Sequence, residues 1–90
     1  MHWKVKDRWG NEITLTEERW LHICERHWEL EGMLDKVLET VQYGRRRQDP
    51  LDPTKYKYWW EFDDLPFHYT RIIAVVRLGV KKFIITAYPK

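Results

Sequence analysis

The sequence is poor in the residues that staple or loosen a small protein. Cys24 is the single cysteine in 90 residues. That excludes an internal disulfide framework, leaves a thiolate-built zinc site short of ligands, and is the usage expected in a reducing cytoplasm. Glycine and proline number four each, and neither a flexible linker, a repeat nor a low-complexity tail is present. Charge of one sign is also scarce: 16 Lys and Arg against 14 Asp and Glu leave a net charge of +2. This is too little to argue nucleic-acid binding without local clustering. No apolar run approaches the roughly 18 residues that a membrane-spanning helix needs. The opening MHWKVKDRWGNE is charged throughout, unlike a signal peptide. The expectation is a soluble cytoplasmic protein with no membrane partner.

What the sequence has in quantity is aromatic surface. Six Trp, five Tyr and three Phe are many for one domain of this length. Such a domain buries only about 60% of its unfolded surface. Large aromatics fill a small core, but they also stack on nucleobases and anchor protein interfaces, including those of homodimers.

The patterning predicts an α+β fold: two helices packed on one face of a three- or four-stranded antiparallel meander, with a short N-terminal hairpin, all in one domain over residues 1–90. Residues 2–6 and 12–15 flank the turn signal Gly10-Asn11 and read as the hairpin. Thr16 is an N-cap, with Glu17 and Glu18 suiting the positive end of a helix over residues 17–29. Its apolar stripe is Trp20, Ile23, Cys24, His27 and Trp28. A second helix over 33–43 carries Leu34, Val37, Leu38 and Val41, with Gly44 as C-terminal cap. The segment RRRQDPLDP reads as a loop whose first residues could form an edge strand. Strands follow at 54–62, 67–78 and 81–88.

A two-residue turn at Gly79-Val80 sets a register in which Leu78 faces Lys81, Val76 faces Phe83, Ala74 faces Ile85 and Ile72 faces Ala87, the face that covers the helices. The other parity, with Arg77 opposite Phe83, mixes the faces. The open face then pairs Arg71 with Tyr88 and Ile73 with Thr86, and collects Lys57, Trp59, Arg77 and Lys82. Cations with a Trp and a Tyr suit phosphates and stacked bases. A wet sheet face usually only solvates; the hydroxyls of Thr86 and Tyr88 beside Arg71 set this one apart.

On the first helix, His22 falls in the stripe Arg19, His22, Arg26. Two arginines favour the neutral imidazole that a general base needs. His27, on the apolar stripe, has a core role as its bland alternative. The two histidines are five positions apart, which is about 140° around a helix, so they do not converge on one metal ion. Arg45 and Arg46 open a short basic run that could add phosphate contacts near a cationic face.

ITLTEERWLHICERH, the Tyr/Trp-rich strand and the closing RIIAVVRLG…KKFIITAYP together resemble the Barnase–EndoU–colicin–RelE nuclease superfamily, in its small phage and bacterial toxin-like branch. The resemblance spans residues 12–90 and is most specific at His22, Arg26 and His27 and at Thr86-Ala87-Tyr88. It implies a metal-independent endoribonuclease with no cofactor, RNA as substrate, and a cognate antitoxin as partner. The implied catalytic set is His22 or His27 as base, Arg71 as phosphate clamp, and Thr86 and Tyr88 orienting the phosphate or assisting the leaving group. Arg19, Arg26, Arg45, Arg46, Lys57, Trp59 and Arg77 would contact RNA. The alternatives are a non-catalytic RNA-binding module and a protein-interaction domain on the same scaffold.

Overall fold

The computed structural model describes residues 1–90. Strands β1 (His2–Lys6) and β2 (Glu12–Thr16) form the N-terminal hairpin. Its turn places Gly10 at φ +84°, in the left-handed region that glycine enters freely. Thr16 ends β2 and caps helix α1 (Glu17–Arg26): its hydroxyl accepts the Arg19 N–H at 3.1 Å. After a 3-10 turn at Trp28–Leu30 comes helix α2 (Leu34–Tyr43), then strands β3 (Arg45–Gln48), β4 (Lys55–Glu61), β5 (Arg71–Leu78) and β6 (Lys82–Pro89).

The fold is α+β, as the patterning predicts, but the sheet is larger than the expected meander. It has six strands in the order β1-β2-β6-β5-β4-β3. The hairpin joins it through a single parallel bridge, Thr14 to Phe83, and the remaining pairings are antiparallel. The sheet is therefore mixed. Arg45–Gln48, left open between loop and strand by the sequence, is the far edge strand.

Both helices pack on one face, α2 over β4 and β5 and α1 over β2 and β6. The core between the layers holds Ile13 and Leu15 from β2, Ile23 and Leu30, Val37 and Val41 from α2, Tyr58, Ile72, Ala74, Val76, Ile84 and Ala87. Burying each large aliphatic side chain here contributes about 1.5–3 kcal/mol.

Gly44 ends α2 as expected, though not in a left-handed conformation: its φ is −68°. A Cβ there would lie 2.1 Å from the Thr40 carbonyl oxygen and 2.7 Å from that of Trp59. Glycine is needed for the close approach of helix end and β4.

The β5–β6 register corrects the expected one. The connection spans three residues, so Leu78 faces Lys82 and Arg77 faces Phe83, the parity the pattern disfavoured. Ile85 then stands unpaired in a bulge between Ile84, opposite Val76, and Thr86, opposite Val75. Beyond it Ala87 faces Ala74 and Tyr88 faces Ile73, not Arg71. The physical reason lies in the residues: Ile84 and Ala87, three apart, both belong in the core, and a regular strand cannot put both on one face. One extra residue can. Phe83 and not Lys82 thus shares the parity of Arg77, while Thr86 and Tyr88 keep the open parity the pattern gave them.

Candidate active site

Because β2 turns into α1 just past its bridge to β6, the outer edge of β6 from Ile85 to Tyr88 is flanked by a helix instead of a strand. Between them lies a groove of about 690 Å³. Arg19, His22, Arg26 and His27 line its helical side and Thr86 and Tyr88 its strand side, over Ile23 and Ile85. Two segments some sixty residues apart in sequence meet here, and no Asp or Glu lines the groove.

His27 reaches this groove because α1 stops one residue earlier than it. The sequence predicts a helix to residue 29; instead His27 takes φ −130°, ψ 71°, its N–H closing the last turn on the Ile23 carbonyl at 2.8 Å. Its ring sits 5.8 Å from that of Tyr88, inclined by 37°. The near-opposite placement expected from an unbroken helix therefore does not hold: both histidines border one groove. His22 lies one turn back, exposed, with Glu25 3.9 Å from its Nδ1. His27 is half-buried. Nowhere do three His, Cys, Asp or Glu side chains gather as metal ligands do.

Other expected site residues are elsewhere. Arg71 starts β5 opposite Glu61, its backbone bonded to Lys90, and does not line the groove. Lys57 and Trp59 are on β4 opposite Val75 and Ile73. Arg45 pairs with Glu61 at 3.3 Å. Arg77 is held by Thr54 at 2.9 Å and Asp52 at 3.3 Å. The hydrogen bonds from the Thr54 hydroxyl and N–H, with the Arg77 charge, hold the Asp52 carboxyl below the usual carboxylate range.

Arg46 is structural. Its guanidinium lies 4.0 Å from the Trp9 ring centre and 4.6 Å from that of Tyr56, and its NH1 donates to Tyr58 Oη at 3.2 Å and to Asp7 at 3.4 Å. Sequence reasoning missed Asp7, whose buried carboxylate also accepts from Tyr58 Oη, the Trp9 and Asn11 N–H groups and Asn11 Nδ2. Burial works against its charged form, but these hydrogen bonds outweigh it and lower its pKa. Burial, then the bond to Asp7, raises that of Tyr58. A signal was present: Asp7 shortly before Gly10-Asn11 is a turn-forming pattern. Cys24 is half-buried, and burial followed by the Glu31 charge pushes its thiol up, away from the reactive thiolate.

The open sheet face thus keeps fewer free cations than its sequence suggests, and the groove between α1 and β6 keeps its own. No protein-family model, no curated protein and no solved structure matches this chain. No helix is long and apolar enough to cross a membrane.

Proposed function

We propose that this protein is a metal-independent endoribonuclease and that the α1–β6 groove is its active site. One observation carries the reading: Arg19, His22, Arg26, His27, Thr86 and Tyr88 line one groove that no carboxylate lines. An anionic phosphodiester is favoured there, and every group type required for cleavage by the neighbouring 2′-oxygen is within the lining. The resemblance to the Barnase–EndoU–colicin–RelE superfamily, argued from the same residues, points the same way.

In this mechanism one of the two histidines, His22 or His27, takes the proton of the ribose 2′-hydroxyl. The freed oxygen attacks the adjacent phosphorus, forming the new P–O bond of a 2′,3′-cyclic phosphate. The P–O5′ bond breaks and its electron pair leaves on the 5′-oxygen, which the other histidine protonates. Arg19 and Arg26 offset the charge gathering on the phosphorane, a role that the resemblance implies for Arg71. Thr86 and Tyr88 orient the phosphate through their hydroxyls. Each positioned acid or base contributes typically about 10²–10⁴-fold, and the paired cations act where charge develops.

The test is product chemistry. A defined oligoribonucleotide treated in EDTA is expected to give 2′,3′-cyclic phosphate and 5′-hydroxyl ends, and the same oligomer with a 2′-deoxy sugar at the cut site is expected to survive. Cutting of the deoxy substrate, or 3′-hydroxyl ends, contradicts the mechanism.

A further inference from the structure

Beside the groove stands an aromatic pair that neither the core nor the proposed chemistry uses. Trp28 and Phe67 are 60% and 63% exposed, although large aromatics normally supply a small domain with core volume. Their rings meet edge to face, 5.4 Å apart and inclined by 78°, and Tyr69 meets Phe67 at 6.4 Å. Neither ring lines the groove, but the chain ties both to its Tyr88 end. Trp28 directly follows His27, and Thr70, next to Tyr69, donates its N–H to the Lys90 carbonyl at 2.9 Å, two residues past Tyr88.

The backbone that presents Phe67 is strained. Phe67 and His68 have φ of 56° and 63°, and the Tyr69 N–H closes on the Pro66 carbonyl at 3.1 Å. Positive φ at both central residues is the geometry of a type I′ turn, which ordinarily takes Asn-Gly. A bulky side chain held there, and held out into solvent, is an outlier of the kind that accumulates at ligand sites.

We propose that Trp28 and Phe67 form a nucleobase subsite, stacking an unpaired base of single-stranded RNA whose phosphate lies among Arg19, Arg26 and the histidines. The inference rests on the reading of the groove as a ribonuclease site and adds where a neighbouring base is held. Exposed rings next to a cationic track are what sequence-tolerant single-strand binding requires. Stacking through π-faces predicts dependence on the presence of a base more than on its identity.

The test uses labelled, uncleavable 2′-O-methyl tetranucleotides, one complete and one abasic, titrated against wild type, Trp28→Ala, Phe67→Asn and Phe67→Gly. RNA cleavage and thermal melting are measured in parallel. Asn and Gly both tolerate the left-handed conformation, so the turn is kept. The complete oligomer should bind wild type more tightly than the abasic one. Each variant should lose about 5- to 150-fold for the complete oligomer and little for the abasic one. Folded variants that bind and cut as wild type does overturn the subsite and leave the ribonuclease reading standing. Base-dependent binding through Trp28 and Phe67 without cleavage supports the subsite and removes the ribonuclease. A wild type that neither binds nor cuts, with a mass that rises with concentration, overturns both and makes the pair a protein interface.

Discussion

Asp7 shows at the scale of one residue how a side chain with no evident motif organises this fold. It joins the hairpin turn to β3 and β4 through Tyr58 and Arg46. Its folded-state pKa is depressed, so its stabilisation is present above the unfolded value of about 3.9 and is lost as pH falls through the lower folded value. Asp7→Asn is therefore expected to reduce stability at neutral pH by about 1.5–3 kcal/mol, the range for hydrogen bonds to a charged group. Thermal melting between pH 7 and pH 2 should show the variant converging on wild type in acid. Parallel melting curves would show that Asp7 contributes nothing through its charge. At the groove, His27→Ala and His22→Ala are each expected to lower cleavage by about 10²–10⁴-fold with folding retained.

The elements show which features were legible in the sequence and which were not. Thr16, Glu17 and the i, i+3, i+4 spacing announced the start and buried face of α1, because capping and periodicity are local. The end of α1 was not legible, since His27 continues the apolar stripe and only its backbone, at φ −130° and ψ 71°, shows it outside the helix. The doublet Ile84-Ile85 is ambiguous in the same way: either residue alone fits the core, and the choice depends on the length of the Gly79 turn and on a bulge. The parallel bridge from Thr14 to Phe83 joins residues too far apart in sequence for any local pattern. Thr86 and Tyr88 were legible as polar departures from an apolar strand, whereas Arg71 was misplaced by the register shift. Two substitutions check the element-scale account by thermal melting. Thr16→Ala, losing the 3.1 Å cap, should cost about 1 kcal/mol, or about 4–8 °C in Tm. Gly44→Ala should cost more, because the atoms at 2.1 and 2.7 Å from its Cβ are backbone oxygens; a variant melting with wild type would contradict the close approach of α2 and β4.

At the scale of the molecule, a net charge of +2 conceals an uneven distribution. Arg45, Arg46 and Arg77 are tied to Glu61, Asp7 and Asp52, while Arg19 and Arg26 line a groove with no carboxylate. RNA affinity should accordingly fall with salt, and Arg19→Gln or Arg26→Gln should each flatten the log–log slope by about 0.7, the contribution of one phosphate contact on a single strand. Arg45→Gln should leave that slope unchanged. The most direct test of the central claim is cleavage of labelled cellular RNA in EDTA by wild type beside folded His27→Ala and Tyr88→Phe. Wild type is expected to cleave the RNA, His27→Ala to lose cleavage, and Tyr88→Phe to lose part of it. Intact RNA with folded wild type, or cleavage undiminished in both variants, would contradict the claim.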